Sequence, residues 1–194
     1  QLFDDDAGEL VVDVDHDVLD RLQALAGLGI GLEYHARAAD GDFEAFAARN
    51  DIRGATIVLE SEGGSVLGAL AFGRAIRKLG MTTTVGRVQD MSGGRGAINP
   101  RADCESMCAF VLLGGAKRWV PSEARVRVHQ IWLGDRANDA KAASYNAQDL
   151  MIVQRDIGRL TNYAFDMGAP GELIALSLSI QPWEPLYQLN AEEL

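Results

Sequence analysis

Apolar positions recur at helical spacing between residues 15 and 26, where Val18, Leu19, Leu22 and Leu25 form a stripe that predicts a helix. Gly27, Gly29 and Gly31 break it. Ahead of it lies an acidic, glycine-containing start over residues 1–8, expected to fray, and then a short strand over residues 10–14. Residues 32–37 read as a second strand. Residues 40–50 put Phe43, Phe46 and Ala47 on one face, with Asp40 or Asp42 as cap, which predicts a helix. The run A-T-I-V-L over residues 55–59 is continuously apolar and rich in branched side chains, the pattern of a strand buried on both faces. A helix over 66–79 and a strand over 81–85 follow. Residues 87–103 are glycine-rich, polar and without period, so they read as a long loop of the kind that covers or lines binding sites. Residues 106–113 are apolar and helical, and 118–120 and 126–129 are short strands. After a polar connection over 134–140, residues 142–167 form one long helix striped by Leu150, Val153, Ile157, Leu160, Tyr163 and Ala164. Gly168 ends it and Pro170 bars its continuation. A short helix over 172–179 follows, and residues 190–194 begin another.

Strands alternating with helices predict an α/β domain with mostly parallel pairing. The 194 residues, 47% hydrophobic and 24% charged, suit one domain with a full core and a short appendage. No run of eighteen apolar residues exists, so no membrane span is expected. A net charge of −10 repels phosphate backbones and argues against nucleic acid. The chain opens on Gln1 without the basic and apolar regions of a leader, as a mature or trimmed product would. Cys104 and Cys108 lie too few ligands from a zinc set, so no metal or other cofactor is expected. Their spacing admits a disulfide, and two buried thiols remain the alternative.

Three features carry candidate chemistry. E-G-G-S, residues 62–65, lies between a buried strand and a helix, where paired glycines let a backbone N–H face an open site. Ser106 opens an apolar helix, whose first N–H groups favour an oxyanion. His129 ends the strand V-R-V-H, and strand ends are where such folds place catalytic groups. Read singly, these are a plain turn, an N-cap serine and a structural histidine.

Read together and in order, they resemble the Clp protease proteolytic subunit, of the crotonase-like fold. The resemblance rests on S-E-G-G-S-V (Ser61–Val66), T-T-V (Thr83–Val85), E-S-M-C-A (Glu105–Ala109), V-R-V-H-Q (Val126–Gln130) and L-N-A-E-E-L (Leu189–Leu194), and it covers the chain from about Leu32 onward. It implies a spiral of β-β-α units with a long handle helix, as a domain over residues 31–194 behind an N-terminal extension over 1–30. The C-x-S-x-C box at Cys104–Cys108 is similar to that of secreted or periplasmic relatives, which implies a disulfide and an oxidising compartment. The resemblance further implies a serine peptidase, or another acyl hydrolase, acting on peptide or protein. Ser106 is then the nucleophile and His129 the base, and the N–H groups of Met107 and of Gly63 or Gly64 hold the oxyanion. The long helix would join copies into a homo-oligomer.

The chain also departs from the family. The place of the family's acid is Pro185–Leu186, so Glu184, Asp135, Asp139 or a backbone group is left to orient His129. The 87–103 segment is longer than the family's link and would cover the site. Residues 1–30 do not resemble the family's axial loops, so an ATPase partner is not expected. The rival readings are a catalytically degenerate relative that binds peptides or assembles, and an acyl-CoA enzyme that stabilises an enolate. A Ser–Lys dyad would have to draw on Lys78, Lys117 or Lys141.

Overall fold

A computed structural model describes residues 10–14, 22–26, 30–34, 43, 47–49, 52–91, 95–133, 141 and 144–194. The expectations for residues 1–8, the caps Asp40 and Asp42, the 134–140 connection, Asp135 and Asp139 lie outside the described residues.

The centre is built on the most apolar short run. β4 (Thr56–Leu59) buries Ile57, Val58 and Leu59, and it pairs in parallel with β5 (Thr82–Val85), which pairs in parallel with β9 (Lys117–Trp119). The connection from β4 to β5 is α1 (Val66–Lys78), capped by the Ser65 hydroxyl, which accepts from the Gly68 N–H. A second sheet runs β11–β10–β8. Within it β8 (Asp103–Glu105) lies parallel to β10 (Arg125–Val128), and β11 (Tyr187–Gln188) lies antiparallel to β10. The two sheets meet at one residue. The Ser61 N–H donates to the Asp103 carbonyl and the Glu105 N–H donates to the Ser61 carbonyl, both at 2.8 Å. The domain is therefore mixed α/β with a parallel centre.

Three helices close over this frame. α2 (Met107–Leu113) packs against α1, and α3 (Ala147–Asp166) reaches both through Tyr163. The Tyr163 hydroxyl is fully buried and donates to the Phe110 carbonyl at 2.8 Å. Burial pushes its pKa well above the ordinary 10, so it stays a donor. The close approach requires Gly73, where a Cβ would lie 1.8 Å from the Tyr163 hydroxyl. Asn146 and Asp149 form a capping box that starts α3 at Ala147, later than the sequence pattern suggests. Gly168, with φ 73°, follows the helix, and Pro170 caps α4 (Gly171–Ser179). Among the described residues no helix is long and apolar enough to cross a membrane.

Three expectations are corrected. Residues 22–26 are not helical. They form β2 (Leu22–Ala26), the middle strand of an antiparallel sheet between β1 (Leu10–Val14) and β3 (Ile30–Tyr34). Over so few residues the apolar spacing suits either period, and pairing on both sides decides it. The 87–103 segment is not a structureless loop. It holds an antiparallel hairpin of β6 (Arg87–Met91) and β7 (Arg95–Asn99), then β8. Glycine-rich, polar sequence reads as loop, and the pairing of β6 with β7 overrides that local signal. The hairpin is rooted by Arg87, whose guanidinium binds the Glu60 carboxylate through two contacts of 2.5 Å. Residues 190–194 form one capped turn, in which the Asn190 side chain accepts from the Glu192 and Glu193 amides.

Candidate functional site

Ser106 occupies the single residue between β8 and α2. Its φ of 54° and ψ of −121° make it the one non-glycine with positive φ among the described residues. Such a conformation costs on the order of 1–3 kcal/mol and persists only when its surroundings impose it. Here the Ser106 N–H donates to the Arg127 carbonyl at 2.8 Å, which ties the bend to β10. Cys104 and Cys108 are joined by a disulfide across the bend, with Cα atoms 5.2 Å apart and both side chains buried. The disulfide that the resemblance implied is thus present. Ser106 makes no side-chain cap bond to α2, so an ordinary N-cap role does not explain this serine.

The glycine turn lies against it. Gly63 and Gly64 have φ of 104° and 144°. A Cβ on Gly63 would stand 2.4 Å from the Ser106 Cβ, 2.9 Å from the Glu105 carbonyl oxygen and 3.0 Å from the Ser106 Oγ, so glycine alone fits. The Gly63 N–H is already taken, since it donates to the Ser61 Oγ at 3.2 Å. Gly64 is exposed, and among the described residues no hydrogen bond engages its N–H. Met107 supplies the first amide of α2, which has no intrahelical acceptor.

His129 follows β10 directly and Ser106 follows β8, so the two residues sit at the carboxyl ends of adjacent parallel strands. The imidazole is half-buried, with its ring centroid 4.5 Å from that of Trp132 and the planes tilted by 52°. Its Nδ1 is buried and has no partner among the described residues. Burial pushes its pKa below the ordinary 6.5, against a smaller opposing pull from the Gln130 backbone. The unfolded chain takes up this proton near 6.5 while the folded site resists it. Stability is therefore lost as pH falls below 6.5 toward the folded value, and above 6.5 the group contributes nothing.

Of the proposed acids only Glu184 is among the described residues, and no hydrogen bond joins it to His129. The exposed Glu184 carboxylate accepts from the Gln181 N–H at 3.1 Å, inside its own turn. Asp135 and Asp139 are outside the described residues. Lys78, Lys117 and Lys141 are all exposed, so none has the desolvation that would make it a base for Ser106.

Sequence reasoning passed over the charged ladder beneath the site. Arg125 binds Asp103 at 2.5 Å, and Arg127 binds Asp103 at 3.0 Å and also Glu105. Burial raises the Glu105 pKa, Arg127 opposes this, and Asp103 and Glu62 add to it. The alternation D-C-E against R-V-R-V was the available signal, since it puts charges on one face and Cys104, Val126 and Val128 in the core. Comparison of the chain with protein-family models and with curated proteins finds no match.

Proposed function

We propose that the chain is a Ser–His peptidase, or a related acyl hydrolase, of Clp-protease-like crotonase fold. One observation carries the reading: a serine free of any capping bond is held at positive φ against a glycine turn, just past β8, while His129 lies just past the adjacent parallel strand β10. Such strain collects where structure has been given up for function. In the mechanism, Ser106 Oγ attacks the acyl carbon while His129 Nε2 takes its proton. The tetrahedral oxyanion accepts from the N–H groups of Met107 and Gly64. His129 returns the proton to the leaving amine, and water repeats the sequence on the acyl-enzyme. The deciding experiment is covalent labelling by a fluorophosphonate, with Ser106→Ala beside the wild type.

A second reading draws on a different observation, the buried His129 Nδ1, which has no partner among the described residues. An imidazole whose Nδ1 meets no acceptor among the described residues suits a retired enzyme that binds peptides or assembles with other chains.

The disulfide belongs with a secreted or periplasmic setting and an enzyme that works without an ATPase partner. It closes too short a loop to add much stability, so its contribution is geometric. The Cys104→Ala/Cys108→Ala variant is expected to keep its far-ultraviolet circular dichroism and to label at least ten-fold more slowly. Labelling at the wild-type rate would separate the bond from the site.

Assembly of several copies through α3 completes the proposal. Leu150, Met151 and Phe165 on this helix are 54%, 59% and 82% exposed, apolar surface that a neighbouring copy would cover. Light scattering is expected to give a mass of several chains, and a single-chain mass removes the oligomer.

A further inference from the structure

We infer that Ser61 is a positioning residue for the oxyanion site, acting through the peptide of Gly63; the inference rests on the hydrolase reading above. Ser61 is 6% exposed and joins the two sheets through its backbone alone, by the bonds to Asp103 and Glu105. Its hydroxyl is therefore not needed for the seam. That hydroxyl instead accepts the Gly63 N–H at 3.2 Å.

Two consequences follow from this bond. It removes Gly63 from the pair of candidate oxyanion donors and leaves Gly64. It also fixes the Glu62–Gly63 peptide, one residue before the Gly64 amide, in a turn whose two glycines, at φ 104° and 144°, have little backbone preference of their own. The residue that anchors the start of this turn is thus the same residue whose backbone grips both ends of β8, immediately before Ser106. Turn and nucleophile share one reference point, and a donor held in advance needs no reorganisation when charge develops on the oxyanion. Without the hydroxyl, the buried Gly63 N–H has no acceptor, and the turn rotates to find one.

The test compares Ser61→Ala and Ser61→Thr with wild type for peptide turnover, fluorophosphonate labelling and affinity for a peptide aldehyde, which binds as a tetrahedral adduct. Ser61→Ala is expected to lower kcat at least ten-fold, with KM and the thermal midpoint near wild type. Its aldehyde affinity falls in parallel, and the pH profile set by His129 does not move. Ser61→Thr keeps the Oγ and is expected within about three-fold of wild type, on the view that losing a whole oxyanion donor costs about a hundred-fold or more. Ser61→Ala turning over at the wild-type rate overturns the role, as does a folded Ser61→Thr as slow as Ser61→Ala. If Ser61→Ala does not fold, Ser61→Gly removes the same hydroxyl and is judged by the same readings. Wild-type protein that neither labels nor turns over peptide removes the hydrolase reading itself, and this role with it.

Discussion

Ser106→Ala is expected to abolish the single fluorophosphonate adduct expected of wild-type protein, and to lower peptide turnover by on the order of 10⁴-fold or more. The expectation follows from the geometry of the bend. Ser106 is partly accessible, its Oγ caps nothing, and the bend is held from outside by Arg127 and by the disulfide. Removing the Oγ therefore leaves the fold in place. His129→Ala is expected to slow labelling by a comparable factor, because the hydroxyl then has no base. The rate in wild type should rise with pH through a midpoint below 6.5, since burial keeps the imidazole neutral into mild acid. Ser106→Gly provides the converse measurement. Glycine adopts φ 54° without strain, so this variant should be about 1 kcal/mol more stable to urea than wild type while remaining inactive. Well-folded wild-type protein that takes no adduct would sink the hydrolase reading and favour the retired relative. An adduct that persists on Ser106→Ala would move the nucleophile elsewhere.

Gly63→Ala is expected to remove activity and about 2–4 kcal/mol of stability together. The new Cβ has no room: it meets the Ser106 Cβ at 2.4 Å and the Glu105 carbonyl at 2.9 Å, and neither is the free end of a flexible side chain. The φ of 104° adds strain that alanine does not relieve. Gly54→Ala isolates the two causes. Gly54 has φ 74°, yet a Cβ there meets nothing within 4 Å. It should cost about 1 kcal/mol and leave labelling unchanged. Urea denaturation of the two variants gives the comparison. Equal losses at both positions would mean that the turn moves away from Ser106 freely, and a Gly63→Ala protein that labels normally would separate the turn from the site.

The legible parts of the chain were those whose signal is local. The buried run of β4, the stripe of α3 and its stop at Gly168 and Pro170 each declare themselves within a few residues, because one element supplies both the pattern and its cause. The strand at 22–26 and the hairpin at 87–99 were misread for the opposite reason. Their apolar residues are too few to fix a period, and only the neighbouring strand makes them strands. β11 is two residues long and exists through its pairing to β10.

For the candidate site the division is similar. Sequence alone determined the α/β class and singled out Gly63, Gly64, Ser106, Met107 and His129, since motif order survives without coordinates. For Cys104 and Cys108 it left bond and free thiols both open, and tertiary structure supplied the bond. Tertiary structure alone decided that Ser106 takes a left-handed bend, that Ser61 holds Gly63, that Glu184 is spent on its own turn and that the His129 Nδ1 meets no partner among the described residues. Each of these depends on groups brought together from separate strands or turned by a backbone angle. Composition and spacing record which groups a chain owns, and the packing of distant segments determines which of them touch.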